Sequence, residues 1–260
     1  MLFTDIQLKK RGMKCLKPLT FTVFLLTVLL SACNKRELNP GNPAAIQVFN
    51  ALNDGTRLYT NLSDQRPDYF RLSRQILNKA TLRLNVNDPV NSSVTLSWYS
   101  IPDTMQKDQP IIMAKEKFEN GAIYSMFIYG SKTSAKYTWQ KDIIPPLGNA
   151  DSVTWIRFAN FSEDQVISVN LKGEPAGSFV QDLPLYSLSE FVKLSVVKSI
   201  QKYEFEITDS NTGTLITTYV IEKLYDPGVF WYNRSNTLVL TGKQGATGTL
   251  LPAVTRINYR

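Results

Sequence analysis

Lys202-Tyr-Glu-Phe-Glu-Ile207, Thr208-Asp-Ser-Asn-Thr-Gly213 and Thr214-Leu-Ile-Thr-Thr-Tyr-Val-Ile221 follow one another without a break, and their reading decides the fold class. In the first piece apolar and polar residues alternate with period two, which sends successive side chains to opposite faces of a pleated strand. The middle piece is made of turn formers and the third is crowded with β-branched residues, so the three read as a hairpin. The same alternation recurs in Thr81-Leu-Arg-Leu-Asn-Val86 and Ser93-Val-Thr-Leu-Ser-Trp98, in runs bounded by Gly, Pro, Asn or Asp. From Ala44 onward no segment sustains a helical period long enough for a core helix. The body is therefore expected to be all-β.

Working outward, the two halves of that body line up. Ile46-Gln-Val-Phe-Asn50 matches Ile156-Arg-Phe-Ala-Asn160, and Tyr124-Ser-Met-Phe-Ile-Tyr-Gly-Ser131 matches Asn236-Thr-Leu-Val-Leu-Thr-Gly-Lys243. Two anchors in the same order at nearly equal offsets argue a tandem repeat. Between the copies, Pro145-Pro146 cannot lie within a central strand, which places a linker there. Several short, turn-bounded strands per copy suit an immunoglobulin-like β-sandwich, a single elongated barrel being the alternative. The expected organisation is a leader at 1–32, a tether at 33–43, sandwiches at 44–144 and 152–260, and a linker at 145–151.

The leader carries Lys9, Lys10, Arg11, Lys14 and Lys17 against Asp5, so it accounts for most of the net charge of +7. The remaining basic residues are scattered and form no stripe interleaved with stacking aromatics, which sets nucleic acid aside. Both cysteines, Cys15 and Cys33, sit at the leader end, leaving the body without a thiol. There is no histidine anywhere, which removes Ser/His/Asp and Cys/His hydrolases and most zinc chemistry. No cofactor is implied and no metal site is expected.

After Lys17 the apolar stretch Leu19–Ala32 spans ~21 Å as a helix, short of the ~30 Å hydrocarbon core, and reads as a signal peptide. It ends in Leu30-Ser31-Ala32-Cys33, which resembles the lipobox of bacterial lipoproteins. That resemblance implies cleavage before Cys33 and lipidation of its thiol, an anchor that holds without a spanning helix. Met13 is an alternative start, since the segment from Met13 is already a full leader. Asn34-Lys-Arg-Glu-Leu-Asn-Pro-Gly-Asn-Pro43 has turn formers and no hydrophobic period, as a flexible tether does.

The opening Ile-x-Val/Phe-x-Asn strands, the run Tyr186-Ser-Leu-Ser-Glu-Phe-Val192, the hairpin loop Asp209 to Gly213 and the late strand closing in Gly242-Lys243 resemble the family called domain of unknown function 4397. That family is common in Bacteroidetes lipoproteins and often occurs in tandem. The resemblance implies a fold and an envelope location, on the periplasmic or the surface face. It brings no catalytic residue, because the family has no established activity. The first copy departs from the pattern, with Asn87-Asp-Pro-Val-Asn-Ser92 where a Thr-Gly hairpin would stand.

Trp139, Trp231 and Tyr232 lie nearest turn-rich stretches, so among the aromatics they are the ones expected to be exposed and to stack on sugar rings. The competing reading is that strand aromatics pack in the core. Glu163-Asp164, and Glu116 with Glu119, are carboxylate pairs of the kind glycosidases use, but nothing in the sequence sets either pair across a cleft. Asp209, Asn211 and Gly213 fit a turn better than a calcium loop. Asp103-Thr104-Met105 and Asp151-Ser152-Val153 resemble the O-glycosylation signal of Bacteroidetes exported proteins, making Thr104 and Ser152 candidate acceptors. These observations lead to the expectation of a non-enzymatic, membrane-anchored envelope lipoprotein that binds or adheres to a glycan or an envelope protein. The rival is a structural or assembly subunit of an envelope complex.

Overall fold

The computed structural model describes residues 43–67, 73–87, 93–102, 108–148, 152–226 and 231–259. Leu30, Ser31, Ala32, Cys33 and Thr104 lie outside the described residues. Gly41–Arg260 forms one compact unit. Among the described residues no helix is long and apolar enough to cross a membrane.

The chain is all-β and built of sandwiches, as the alternation predicts. In chain order the first eight strands are β1 (Ala44–Leu52), β2 (Leu58–Asn61), β3 (Gln75–Ile76), β4 (Thr81–Val86), β5 (Ser93–Ser100), β6 (Ile112–Lys117), β7 (Ile123–Gly130) and β8 (Lys136–Asp142). They form one sheet in the order β4-β1-β7-β8 and a second in the order β3-β2-β5-β6. Ile46, Val48, Leu58, Leu96, Trp98, Met126 and Ile128 fill the space between them.

The next nine strands are β9 (Val153–Ser162), β10 (Ile167–Leu171), β11 (Val180–Leu183), β12 (Ser187–Leu188), β13 (Val192–Ser195), β14 (Lys202–Asp209), β15 (Leu215–Glu222), β16 (Arg234–Gly242) and β17 (Ala253–Tyr259). They repeat the plan, with β12 and β13 both pairing β9 in a sheet that continues through β16 to β17, and β11-β10-β14-β15 opposite. Ile156, Phe158, Val169, Phe205, Ile207, Leu238 and Leu240 form their core.

Register makes the repeat explicit. β1 runs parallel to β7 with Ile46 opposite Tyr124, and β9 runs parallel to β16 with Ile156 opposite Asn236, the residues that anchor the sequence alignment. Asn50 and Asn160 are both fully buried and do the same work. Asn50 Nδ2 donates to Thr56 O at 2.8 Å, and Asn160 Nδ2 to Gln165 O at 2.7 Å and Leu183 O at 3.0 Å. Each side chain thereby ties its opening strand to the connection that leaves it. The strand order refines the immunoglobulin-like expectation. In an immunoglobulin domain the first two strands share a sheet, whereas here β1 and β2, like β9 and β10, lie in opposite sheets.

All nine residues of β1 are buried, a pattern expected only of a strand covered on both faces. The cover is a third core between the sheets containing β1 and β9. Phe49, Ala51 and Phe127 from the first sandwich meet Ala159, Phe161, Val239, Ile257 and Tyr259 from the second. Phe127 and Phe161 stack with centroids 4.5 Å apart and planes at 15°. Tyr129 stacks on Tyr186 at 4.1 Å. Residues 143–148 run without regular structure, with Ile143 85% exposed and Ile144 packed against this third core.

Candidate functional site

Trp139 lies on β8, half-buried, stacked on Tyr124 at 4.8 Å and 12° and met edge-on by Phe118 at 5.1 Å. Trp231 is only 4% exposed and belongs to the second core, with the guanidinium of Arg256 at 4.2 Å over its ring. The expectation that Trp231 is exposed is therefore corrected: removing a large apolar ring from water outweighs its nearness to a turn. Tyr232 is half-buried, with Tyr225 edge-on at 5.7 Å. Ser152 is half-buried, and its carbonyl accepts the Val196 amide at 2.7 Å.

The carboxylates singled out in the sequence have structural partners. Glu116 accepts the Tyr137 hydroxyl at 3.1 Å, and Glu119 pairs with Lys141 at 2.6 Å. Glu163 accepts Asn53 Nδ2 at 2.8 Å, and Asp164 pairs with Lys243 at 2.8 Å. Asp209 closes its own turn, accepting the Asn211 amide at 2.7 Å through Oδ1 and the Gly213 amide at 2.8 Å through its carbonyl.

An aromatic platform does exist, one step along the chain from where the sequence directs attention. After β15 the chain turns at Lys223, whose φ of +52° is unusual for a residue with a side chain. That turn buries Leu224 and leaves Tyr225 43% exposed. Lys198, Ile200 and Gln201, from the connection between β13 and β14, face the same hollow. Together with Lys223, Leu224, Tyr225 and Asp226 they line a depression of about 380 Å³. Gln201 Nε2 donates to Lys198 O at 2.9 Å, and the Lys198 ammonium stands 5.3 Å over the Tyr225 ring. The arrangement offers a flat apolar ring, cations and an amide around an open hollow, which suits a polyhydroxylated ring with polar edges. A signal for it exists in the sequence: Tyr225-Asp-Pro-Gly228 sets an aromatic directly before a strong turn.

The densest polar cluster lies elsewhere, between the sandwiches, and the sequence does not reveal it. Arg157 on β9, 4% exposed, donates through Nη2 to Asp142 Oδ1 at 2.6 Å and to the Tyr259 hydroxyl at 2.8 Å, and through Nε to Thr237 Oγ1 at 2.8 Å. Ser125 Oγ donates to Asp142 Oδ2 at 2.6 Å, so the 2.9 Å contact between Ser125 and Tyr259 must use the tyrosine proton. Thr237 passes its own proton to Tyr259 at 3.1 Å. Every hydroxyl proton in the cluster is thus placed. Burial opposes the Arg157 charge, but Tyr259 and Asp142 more than offset it and hold the guanidinium above its usual range. Burial likewise raises the Tyr259 hydroxyl, against the pull of Arg157. Closed to solvent and internally satisfied, this cluster is built to join the sandwiches.

No family model and no curated protein matches this chain. Among solved structures, a streptococcal family 41 carbohydrate-binding module recognising α-glucan is 9% identical over 78% of this chain and 94% of its own, with a TM-score of 0.22. An α-glucan-binding streptococcal virulence factor is 9% identical over 79% and 95%, with a TM-score of 0.24. A provisionally named adhesin from Bacteroides ovatus is 10% identical over 83% and 95%, with a TM-score of 0.24.

Proposed function

We propose that this chain is a lipoprotein anchored to the outer membrane through Cys33, and that its joined sandwiches form a non-enzymatic binding or adhesion body whose ligand is a glycan. The observation that carries the glycan reading is the exposed Tyr225 ring with Tyr232 at its edge and hydrogen-bonding side chains around the hollow. Sugar recognition needs an apolar face for the ring's C–H side and polar groups for its hydroxyls, and this depression supplies both. Affinity electrophoresis of Gly41–Arg260 against plant, host and microbial polysaccharides tests it. Retardation by at least one glycan, lost in Tyr225→Ala and kept in Trp139→Phe, is expected; no retardation by any glycan overturns it. The anchor is tested separately, by labelled palmitate entering the wild-type chain in a lipoprotein-processing host but not Cys33→Ala.

A second reading, as an assembly subunit, is favoured by β15. Among the described residues this strand pairs with β14 on one side only, exposes Leu215 and Val220, and carries no charge from Leu215 to Ile221. Its counterpart β6 bears Lys115, Glu116 and Lys117, as protected edges do. An unprotected edge can accept a strand from another protein. A partner that co-purifies in stoichiometric amount and is lost with Val220→Lys would establish this role.

A further inference from the structure

We infer that the depression at Tyr225 selects acidic glycans, the carboxylate or sulfate of the sugar being held between Lys198 and Lys223. The inference rests on the glycan reading above and adds the charge of the ligand.

Two ammonium groups and one carboxylate line the hollow. Among the described residues neither lysine has an ion-pair partner, which leaves both charges open to a ligand, as they are not at Lys141, Lys172, Lys202 and Lys243. The Lys198 ammonium stands 5.3 Å over one face of the Tyr225 ring, so a saccharide seating on that face moves it aside to the sugar's own edge, where an acidic substituent would hold it. Lys223 also lines the hollow, on a backbone turned into the left-handed region, where Gly or Asn would be the easier occupants. A lysine there adds a charge at a position that does not favour it. Asp226, the third charged group, follows in the same turn, its amide bonded to the Lys223 carbonyl at 2.9 Å.

The first sandwich provides an internal contrast. The loop after β6, counterpart of the one after β15, carries Glu119 held by Lys141 at 2.6 Å, so charge is cancelled there and no exposed aromatic accompanies it. The exposed ring and unpaired lysines of the second copy are thus not required by the shared fold. An aromatic ring also separates a saccharide from a bare anion. A free phosphate or sulfate would gain from the lysines but nothing from Tyr225.

The experiment is a calorimetric titration of Gly41–Arg260 with polygalacturonate, dextran sulfate, neutral dextran and vesicles containing anionic phospholipid. Wild type is expected to bind at least one acidic polysaccharide about tenfold more tightly than dextran, with the preference shrinking as salt rises from about 0.05 M to about 0.3 M. Lys198→Gln and Lys223→Asn should each remove most of that preference, and Asn tolerates the left-handed backbone, so folding is kept. Tyr225→Ala should abolish acidic and neutral binding together. Equal binding of acidic and neutral glycans, unchanged by the lysine variants, overturns the charge selection and leaves the glycan reading standing. Binding of vesicles but of no polysaccharide overturns both.

Discussion

Arg157 Nη2 of the second sandwich lies 2.6 Å from Asp142 Oδ1 of the first, and the position equivalent to Arg157 in the first copy is held by Gln47. Equivalent pairs meet at this boundary. Asn53 bonds its counterpart Glu163, while Ser125 with Asp142 and their counterparts Thr237 with Tyr259 converge on the one guanidinium. Such self-complementary contacts are those of an isologous dimer, here made between two copies on one chain.

Asp142→Ala strands the Arg157 charge in a buried site. A loss of about 3–5 kcal/mol is expected, read from denaturant unfolding. The double change Arg157→Met with Asp142→Leu should cost far less, because it removes both desolvated charges. Equal losses in the two variants would count against the ion pair as the cause.

The Tyr259 hydroxyl is raised above its ordinary value of 10.0, chiefly by burial. Because the folded state keeps that proton more tightly than the unfolded chain, its contribution is complete below about pH 10. It falls away as pH climbs from there towards the raised folded value. Burial raises Tyr99 and Tyr219 as well, so the comparison that isolates Tyr259 is with Tyr259→Phe. That variant should lose about 1–3 kcal/mol at neutral pH and show a shallower alkaline decline.

Phe161→Ala opens a hole in the third core and removes the partner of Phe127. A loss of about 3–5 kcal/mol is expected. Calorimetry of wild type should give one unfolding transition and the variant two, since the two outer cores no longer depend on each other. A single transition in both would show that the coupling runs through the polar cluster alone.

At Gly242, φ is +95° and an added Cβ would sit 2.6 Å from the carbonyl oxygens of Leu250 and Leu251. Gly242→Ala is therefore expected to cost about 3 kcal/mol or more. At Gly213, φ is +68° but the space is open, so alanine there pays only the backbone penalty of about 1 kcal/mol. Thermal melts of the two variants measure the difference.

Local pattern was enough for the strands and for the repeat. Period-two alternation marked Lys202–Ile207 and β-branched crowding marked Thr214–Ile221, which pair as β14 and β15, and the two Ile-x-x-x-Asn segments occupy equivalent registers because both opening strands pair in parallel with a late strand. Alternation identifies two faces but does not say what covers each of them. On β9 the face bearing Trp155, Arg157, Ala159 and Phe161 mixes charge with apolar groups, a pattern that does not itself identify an interior. Only the arrival of Asp142 and the other sheet makes it an interior, since a guanidinium can be buried only where distant residues supply its counter-charge and acceptors. The same reason separates Trp231 from Tyr225. Both stand beside turns, and whether a ring meets core or water depends on which way the folded turn points it, a property of the assembled sheets. The sequence by itself determined the strands and the tandem plan; the third core, the buried ion pair and the exposed tyrosine were decided by tertiary packing.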